Sequence, residues 1–272
     1  MMPSDGLALV EAYTEQAHVL RARVLEISGE LWDSMPSTRK QHVDWFVSQV
    51  VPLVEAGQAQ TASLTWAYVD EYAKIMGLNV SQRRSLDRAV KDLRGVSLDV
   101  VYRRPASTVY AALADGGPYD QARVEGARRL SSLVSTDLQL AKTHASKAGM
   151  GAHGMKWYRR VTIGEETCAL CMIASTRAYK TNDLMPIHPG CDCGVEPLPK
   201  RAALDIEQGT YTFDRDTLES VHSAVEGAGF DVDRGGRLTD YRKLVVTREH
   251  GEYGPTIGWR NQKFTGVSQL AR

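Results

Sequence analysis

Residues 167–197 read TCALCMIASTRAYKTNDLMPIHPGCDCGVEP and hold every cysteine of the chain, Cys168, Cys171, Cys191 and Cys193, with His188 three positions before Cys191. A Cys-x2-Cys pair and a His-x2-Cys pair can each set two ligands along one edge of a tetrahedron, and the sixteen residues between them let the pairs meet. Pro189 and Gly190 supply the tight turn that such a ligand pair needs. Structural zinc takes four ligands, so among Cys168, Cys171, His188, Cys191 and Cys193 one is redundant, and His188 and Cys193 compete for the last place. If positions 191 and 193 lie on a strand, both side chains point to one side, which keeps an all-cysteine set open. Four protein ligands leave no coordination position for a catalytic water, so the zinc would be structural. Two disulfides, a thioredoxin-like redox pair at Cys168 and Cys171, and unconnected buried thiols are the competing readings.

Upstream of this stretch the pattern is helical. Apolar residues Leu7, Val10, Tyr13, Ala17, Leu20, Val24, Ile27 and Leu31 recur at spacings of three and four until Pro36. The face of Leu20, Val24, Ile27 and Leu31 is long for one neighbour within the chain, and we expect it to meet a partner. A second helical pattern starts near Thr38, with a kink or break expected at Pro52, and resumes over Leu64, Tyr68, Tyr72 and Ile75. A helix capped by Ser81 and stopped by Gly95, a short helix before Gly116 and a long one from Tyr119 bring the number over 1–147 to about six, and a further helix reads from Arg215 to Glu226.

After Gly149 glycines punctuate the chain, and Trp157 to Ile163 and Cys193 to Pro199 read as two short strands on either side of the cysteines. From Val245 to Arg272, glycines and Pro255 exclude a continuous helix, while Tyr253, Ile257, Trp259 and Phe264 are too apolar for a free tail. An extended arm with aromatic anchors docking on a neighbouring subunit is the expectation. The fold class is therefore α+β, mainly α. It comprises a helical domain over 1–147, a zinc-stabilised two-strand module over 148–200, and a C-terminal helix with an extended arm over 201–272.

Composition narrows the function. The 272 residues carry 33 basic and 33 acidic side chains, so no global field steers the chain to DNA or an anionic membrane. Arg84, Arg88 and Lys91 share one helix face that could meet phosphate, but Asp87 and Asp92 sit beside them. The start lacks the basic and apolar regions of an export signal and no stretch of 18 apolar residues occurs, so the expectation is a soluble chain made in the cytoplasm. Cys191 with His188, or Ser175 with His188 and Asp183, can be written as nucleophile and base, yet no Gly-x-Ser-x-Gly elbow and no Gly-rich phosphate loop is present.

Residues 101–141, then 157–179, "IHPGCDCGVEP" at 187–197 and "HGEYGPTIGW" at 250–259 together resemble the MuF-like minor head proteins of tailed bacteriophages, especially those of actinobacterial phages. The paired cysteine motifs on either side of "RAY" are the most specific element. The resemblance implies a minor capsid protein inside the head near the portal, acting in assembly and in DNA packaging or delivery. Its implied partners are the portal or major capsid protein and packaged DNA, with no membrane and no small-molecule substrate. Its implied location is the virion interior, and the host cytoplasm during assembly. Some relatives carry protease domains, so a head maturation protease is the alternative. A zinc-bearing DNA-binding module of a host is weaker, because the net charge is zero.

Overall fold

A computed structural model describes residues 4–78, 93–163, 168–186, 191, 193–208, 215–232, 240–252 and 254–263. Three long helices, α1 (Ser4–Ser34), α2 (Lys40–Ile75) and α5 (Tyr119–Ala152), form a bundle, with the short α3 (Leu98–Val101) and α4 (Arg104–Ala114) laid against it. Each long helix has the periodicity of a one-sided apolar face. The core gathers Trp32, Phe46, Val50, Val54, Tyr102, Val109, Leu130 and Leu133, with Trp32 and Phe46 edge to face at 5.5 Å.

Two expectations are corrected in the bundle. The stripe expected to wait for a partner is used inside the chain: Val24 is 4% exposed in the core, Leu20 and Leu31 pack against it, and Ile27 is half-buried. The reason is that α1 meets both α2 and α5, so its apolar face has two neighbours rather than one. Pro52 does not end its helix, which runs from Lys40 to Ile75. Pro52 is exposed, and the carbonyl it leaves without a helical partner belongs to Ser48, also exposed, where water can reach it. Val50, Val51 and Val54 are buried on either side and hold the adjoining turns in place. The helix expected from Ser81, with Arg84, Arg88 and Lys91, lies outside the described residues.

The sheet has three strands where two were expected. β1 (Trp157–Val161) is central, flanked antiparallel by β2 (Ala178–Lys180) and β3 (Gly194–Leu198), with Tyr158 opposite Tyr179 and Arg160 opposite Val195. Every residue of β3 is buried, with α1 packed on the strand and Tyr68 and Tyr72 of α2 reaching it. The Tyr68 hydroxyl donates to the Val195 carbonyl at 2.5 Å and the Tyr72 hydroxyl to Glu196 Oε1 at 2.9 Å. A Cβ on Gly194 would fall 2.7 Å from Val10 Cγ1, so the close seating of β3 on α1 requires a glycine there. Bundle and sheet share one core, built from Val10, Tyr68, Tyr72, Met150, Tyr158 and Val195. Accordingly α5 continues to Ala152, past the boundary expected at 147.

Over the described residues 240–252 and 254–263 the C-terminal region is a hairpin and not an extended arm. After helices α7 (Lys200–Gln208) and α8 (Arg215–Gly227), strands β4 (Val245–His250) and β5 (Gly254–Trp259) pair as an antiparallel hairpin in register from Val245 opposite Trp259 to His250 opposite Gly254. Glycine and proline exclude a helix here, but they suit a hairpin: Gly254 has φ +72° beside the turn, and Pro255 is exposed on an edge strand. Ile257 faces inward at 5% exposure and Trp259 packs against Phe230, so neither is free to anchor a neighbour. Tyr253 and Phe264 lie outside the described residues.

Candidate metal centre

The cysteines converge from two elements. Cys168 is the N-cap of the short helix α6 (Ala169–Ser175), and its Sγ accepts the Cys171 N–H at 3.4 Å, which turns Cys171 toward the same point. Cys191 and Cys193 precede β3 and do not lie on a strand, yet their sulfurs stand side by side. The Sγ atoms of Cys171, Cys191 and Cys193 all lie within 4.8 Å of one another, and all three residues are buried. Separations are 3.3 Å between Cys168 and Cys171, 3.4 Å between Cys171 and Cys191, and 2.9 Å between Cys191 and Cys193. Sulfurs about 2.3 Å from a tetrahedral zinc stand roughly 3.8 Å apart, so a small outward relaxation admits an ion. All four cysteines are free thiols, and the disulfide reading does not describe this structure. Cys171, Cys191 and Cys193 can hold a metal ion.

The surroundings close the site. Leu170 and Ile173 of α6, Val221 and Val225 of α8, Tyr241, Leu244, and Val245 and Ile257 of the hairpin pack around the sulfurs. The Pro186 carbonyl accepts from the Ile257 N–H at 3.0 Å and from Thr256 Oγ1 at 2.8 Å, tying β5 to the segment leading into Cys191. Such burial would shield an ion held there from water and couple its retention to the hairpin.

Two cations that the spacing of cysteines does not announce stand beside Cys193. Arg160, 2% exposed, donates from Nη1 to Cys193 Sγ at 3.2 Å and from Nη2 to the Met185 carbonyl. Lys142 Nζ donates to the Cys193 carbonyl at 3.1 Å. Hydrogen bonds from the Cys171 and Cys191 thiols, aided by Arg160 and Lys142, hold the Cys193 thiol well below its usual range. Bonds with Cys168, Cys191 and Cys193, together with burial, push Cys171 up. Burial is the largest influence on Arg160 and works against its charge, but Cys193, Tyr158, Cys191 and Tyr179 together outweigh it and hold the guanidinium above its ordinary value. In β1 the burial alternates, Tyr158 and Arg160 inward, and an arginine at an inward strand position calls for a buried anion.

Of the other expected site residues, His188 lies outside the described residues. The Ser175 hydroxyl donates to the Met172 carbonyl of its own helix at 2.7 Å. A second polar network joins bundle and hairpin: Arg94 donates to Asp137 at 2.6 Å, Tyr102 to Asp137 at 2.7 Å, and Arg94, Arg104 and Arg129 converge on Glu252. No described helix is long and apolar enough to cross a membrane. Compared with models of protein families, with curated proteins and with solved structures, the chain finds no match.

Proposed function

We propose that this chain is a structural protein of the MuF-like minor head kind. In this reading four of its five clustered Cys and His side chains bind zinc, and the ion fastens the sheet, α6, α8 and the C-terminal hairpin to the helical bundle. The observation that carries the reading is the closed thiol cluster: sulfurs from the two quoted motifs meet in a buried site at the junction of helix, sheet and hairpin. A site walled on all these sides suits an ion that stabilises structure, since a catalytic ion keeps one position open to substrate. The role inside a phage head near the portal, with portal or major capsid protein as partner and packaged DNA nearby, rests on the resemblance of residues 101–141, 157–179, 187–197 and 250–259.

The test is co-purification. An epitope-tagged chain expressed during infection should travel with procapsids in few copies and remain in filled heads; its recovery only outside particles would contradict the reading. The maturation-protease alternative requires scaffold cleavage by the wild-type chain that is lost in Ser175→Ala. The Ser175 hydroxyl, bonded to the Met172 carbonyl, favours the structural role.

A further inference from the structure

We propose that Arg160 is a positioning residue of the metal centre: its guanidinium clamps both ends of the chain segment that carries Cys191, and its hydrogen bond to the Cys193 sulfur tunes that sulfur as a ligand. The inference rests on the metal reading above and names the support of that same site.

The pairing of β1 with β3 sets the reach. Arg160 stands opposite Val195, two residues beyond Cys193, at a buried position of β1. Its Nη1 donates to Cys193 Sγ at 3.2 Å, while Nη2 donates to the Met185 carbonyl. Met185 and Cys193 bracket the stretch that contains Cys191, so one planar group with two donor arms holds that stretch at both ends. The residue after Met185 is held as well, since the Pro186 carbonyl accepts from the Ile257 N–H at 3.0 Å and from Thr256 Oγ1 at 2.8 Å. Cys191 and Cys193 are thereby brought to Cys171, with sulfur separations of 3.4 Å and 2.9 Å along the row, before an ion has to gather them. Ligands held in place in advance lose less freedom when the ion enters.

A buried arginine could serve the fold alone by satisfying the Met185 carbonyl. The bond to sulfur argues for more. A thiol sulfur is a weak acceptor, and hydrogen bonds to an ionised acceptor are roughly twice as strong, so an arginine kept 2% exposed beside Cys193 gains most when that cysteine is a metal-bound thiolate. Lysine would not replace it, because an ammonium is a point donor without the fork that spans two acceptors.

The experiment uses the full chain, stripped of metal and titrated with Zn2+ against a chromogenic chelator, then reconstituted with Co2+ so that the sulfur-to-metal charge-transfer band reports on the ligand sulfurs. Arg160→Met should weaken Zn2+ binding by about tenfold or more, the usual loss when a group supporting metal ligands is removed. Its charge-transfer band should move to longer wavelength, because a sulfur without its N–H partner gives up an electron more readily. Arg160→Lys, which keeps the charge but not the fork, should also bind more weakly than wild type. Val195→Ala is the control: it is buried opposite Arg160, so it should lower the melting temperature and leave the band in place. Wild-type affinity in either Arg160 variant overturns the proposal. Weakened binding in Arg160→Met with an unmoved band, or an equal shift of the band in Val195→Ala, would make Arg160 an element of the fold alone and overturns it too. If Arg160→Met fails to keep its helical circular dichroism, Arg160→Lys alone decides. Wild-type protein that takes up neither Zn2+ nor Co2+ sinks the metal reading itself, an outcome distinct from uptake that ignores Arg160.

Discussion

Arg94 and Glu252, far apart in the chain, meet through an Nη1 to Oε2 contact of 3.4 Å that joins the helical bundle to the turn between β4 and β5. Arg104 at 3.1 Å and Arg129 complete the cluster around the same carboxylate. Arg94 is 2% exposed at its side chain and also holds Asp137, so the hairpin tip is fastened to a group that is itself fixed. The hairpin therefore has two anchors, the cysteine cluster at its base and this carboxylate at its tip.

Glu252 gives the tip a pH dependence. Burial opposes its ionisation, but Arg129, Arg94 and Arg104 outweigh burial and hold the carboxyl below its ordinary value of 4.5. A carboxyl with a lowered value in the folded state contributes stability that is complete above its unfolded value and is lost as pH falls through the folded one. Asp137 acts in the opposite sense. Burial, ahead of its bonds to Arg94 and Tyr102, raises its value, so its protonation favours the folded state as pH falls. Glu252→Gln should cost about 2 kcal/mol near neutrality, and the difference from wild type should shrink below about pH 4.5. Thermal unfolding between pH 3 and 7 measures this; a difference that stays constant with pH would show that the charge of Glu252 is not what holds the tip.

Ile257 distinguishes a folded hairpin from an arm that docks elsewhere. It is buried against the cysteine cluster, so Ile257→Ala should destabilise the isolated chain by about 2–5 kcal/mol. Pro255→Ala, at an exposed edge position, should have little effect. Ending the chain after Leu244 should go further, opening the cluster and releasing metal. An unchanged melting temperature in Ile257→Ala would mean that the residue serves a surface and not this core.

Gly126 tests the contact between α4 and α5. A Cβ there would sit 2.6 Å from Trp32 Cζ2, 2.7 Å from Val109 Cγ2 and 3.0 Å from the Pro105 carbonyl oxygen. Because one of these atoms is backbone, Gly126→Ala should destabilise by about 1–3 kcal/mol. Gly151→Ala, on the same helix with nothing within 4 Å, should be neutral or stabilising by up to about 1 kcal/mol. Chemical denaturation of the two variants checks the order, which a loosely packed bundle would not reproduce.

The parts of the fold legible in the sequence are those with many repeats of a local period. Helices α1, α2 and α5 each show a stripe several turns long, and the cysteine spacing declares itself because four thiols stand in one short segment. Strand β2 has three residues and α6 has seven, too few for either periodicity to register. The hairpin was hidden by the residues that shape it, since Gly254 and Pro255 look like interruptions until their strand is paired. Within the site, Cys168, Cys171, Cys191 and Cys193 were legible, but Arg160 reaches Cys193 only through the β1–β3 register, and Arg94 reaches Glu252 only through the tertiary fold. Neither relation has a local signature. The stripe of α1 looks unpartnered in the sequence for a similar reason: its second neighbour, α5, lies far along the chain.

The most direct test of the account is the metal content of the full chain purified without chelator. Binding of structural zinc by thiolates contributes on the order of 10 kcal/mol in small modules, so the ion should survive purification at about one per chain. Elemental analysis should find it in the wild type and lose it in Cys171→Ser, whose sulfur stands within 3.4 Å of two others. A wild-type content below about one zinc in five chains, under conditions where a site of that strength would be filled, would contradict the central claim.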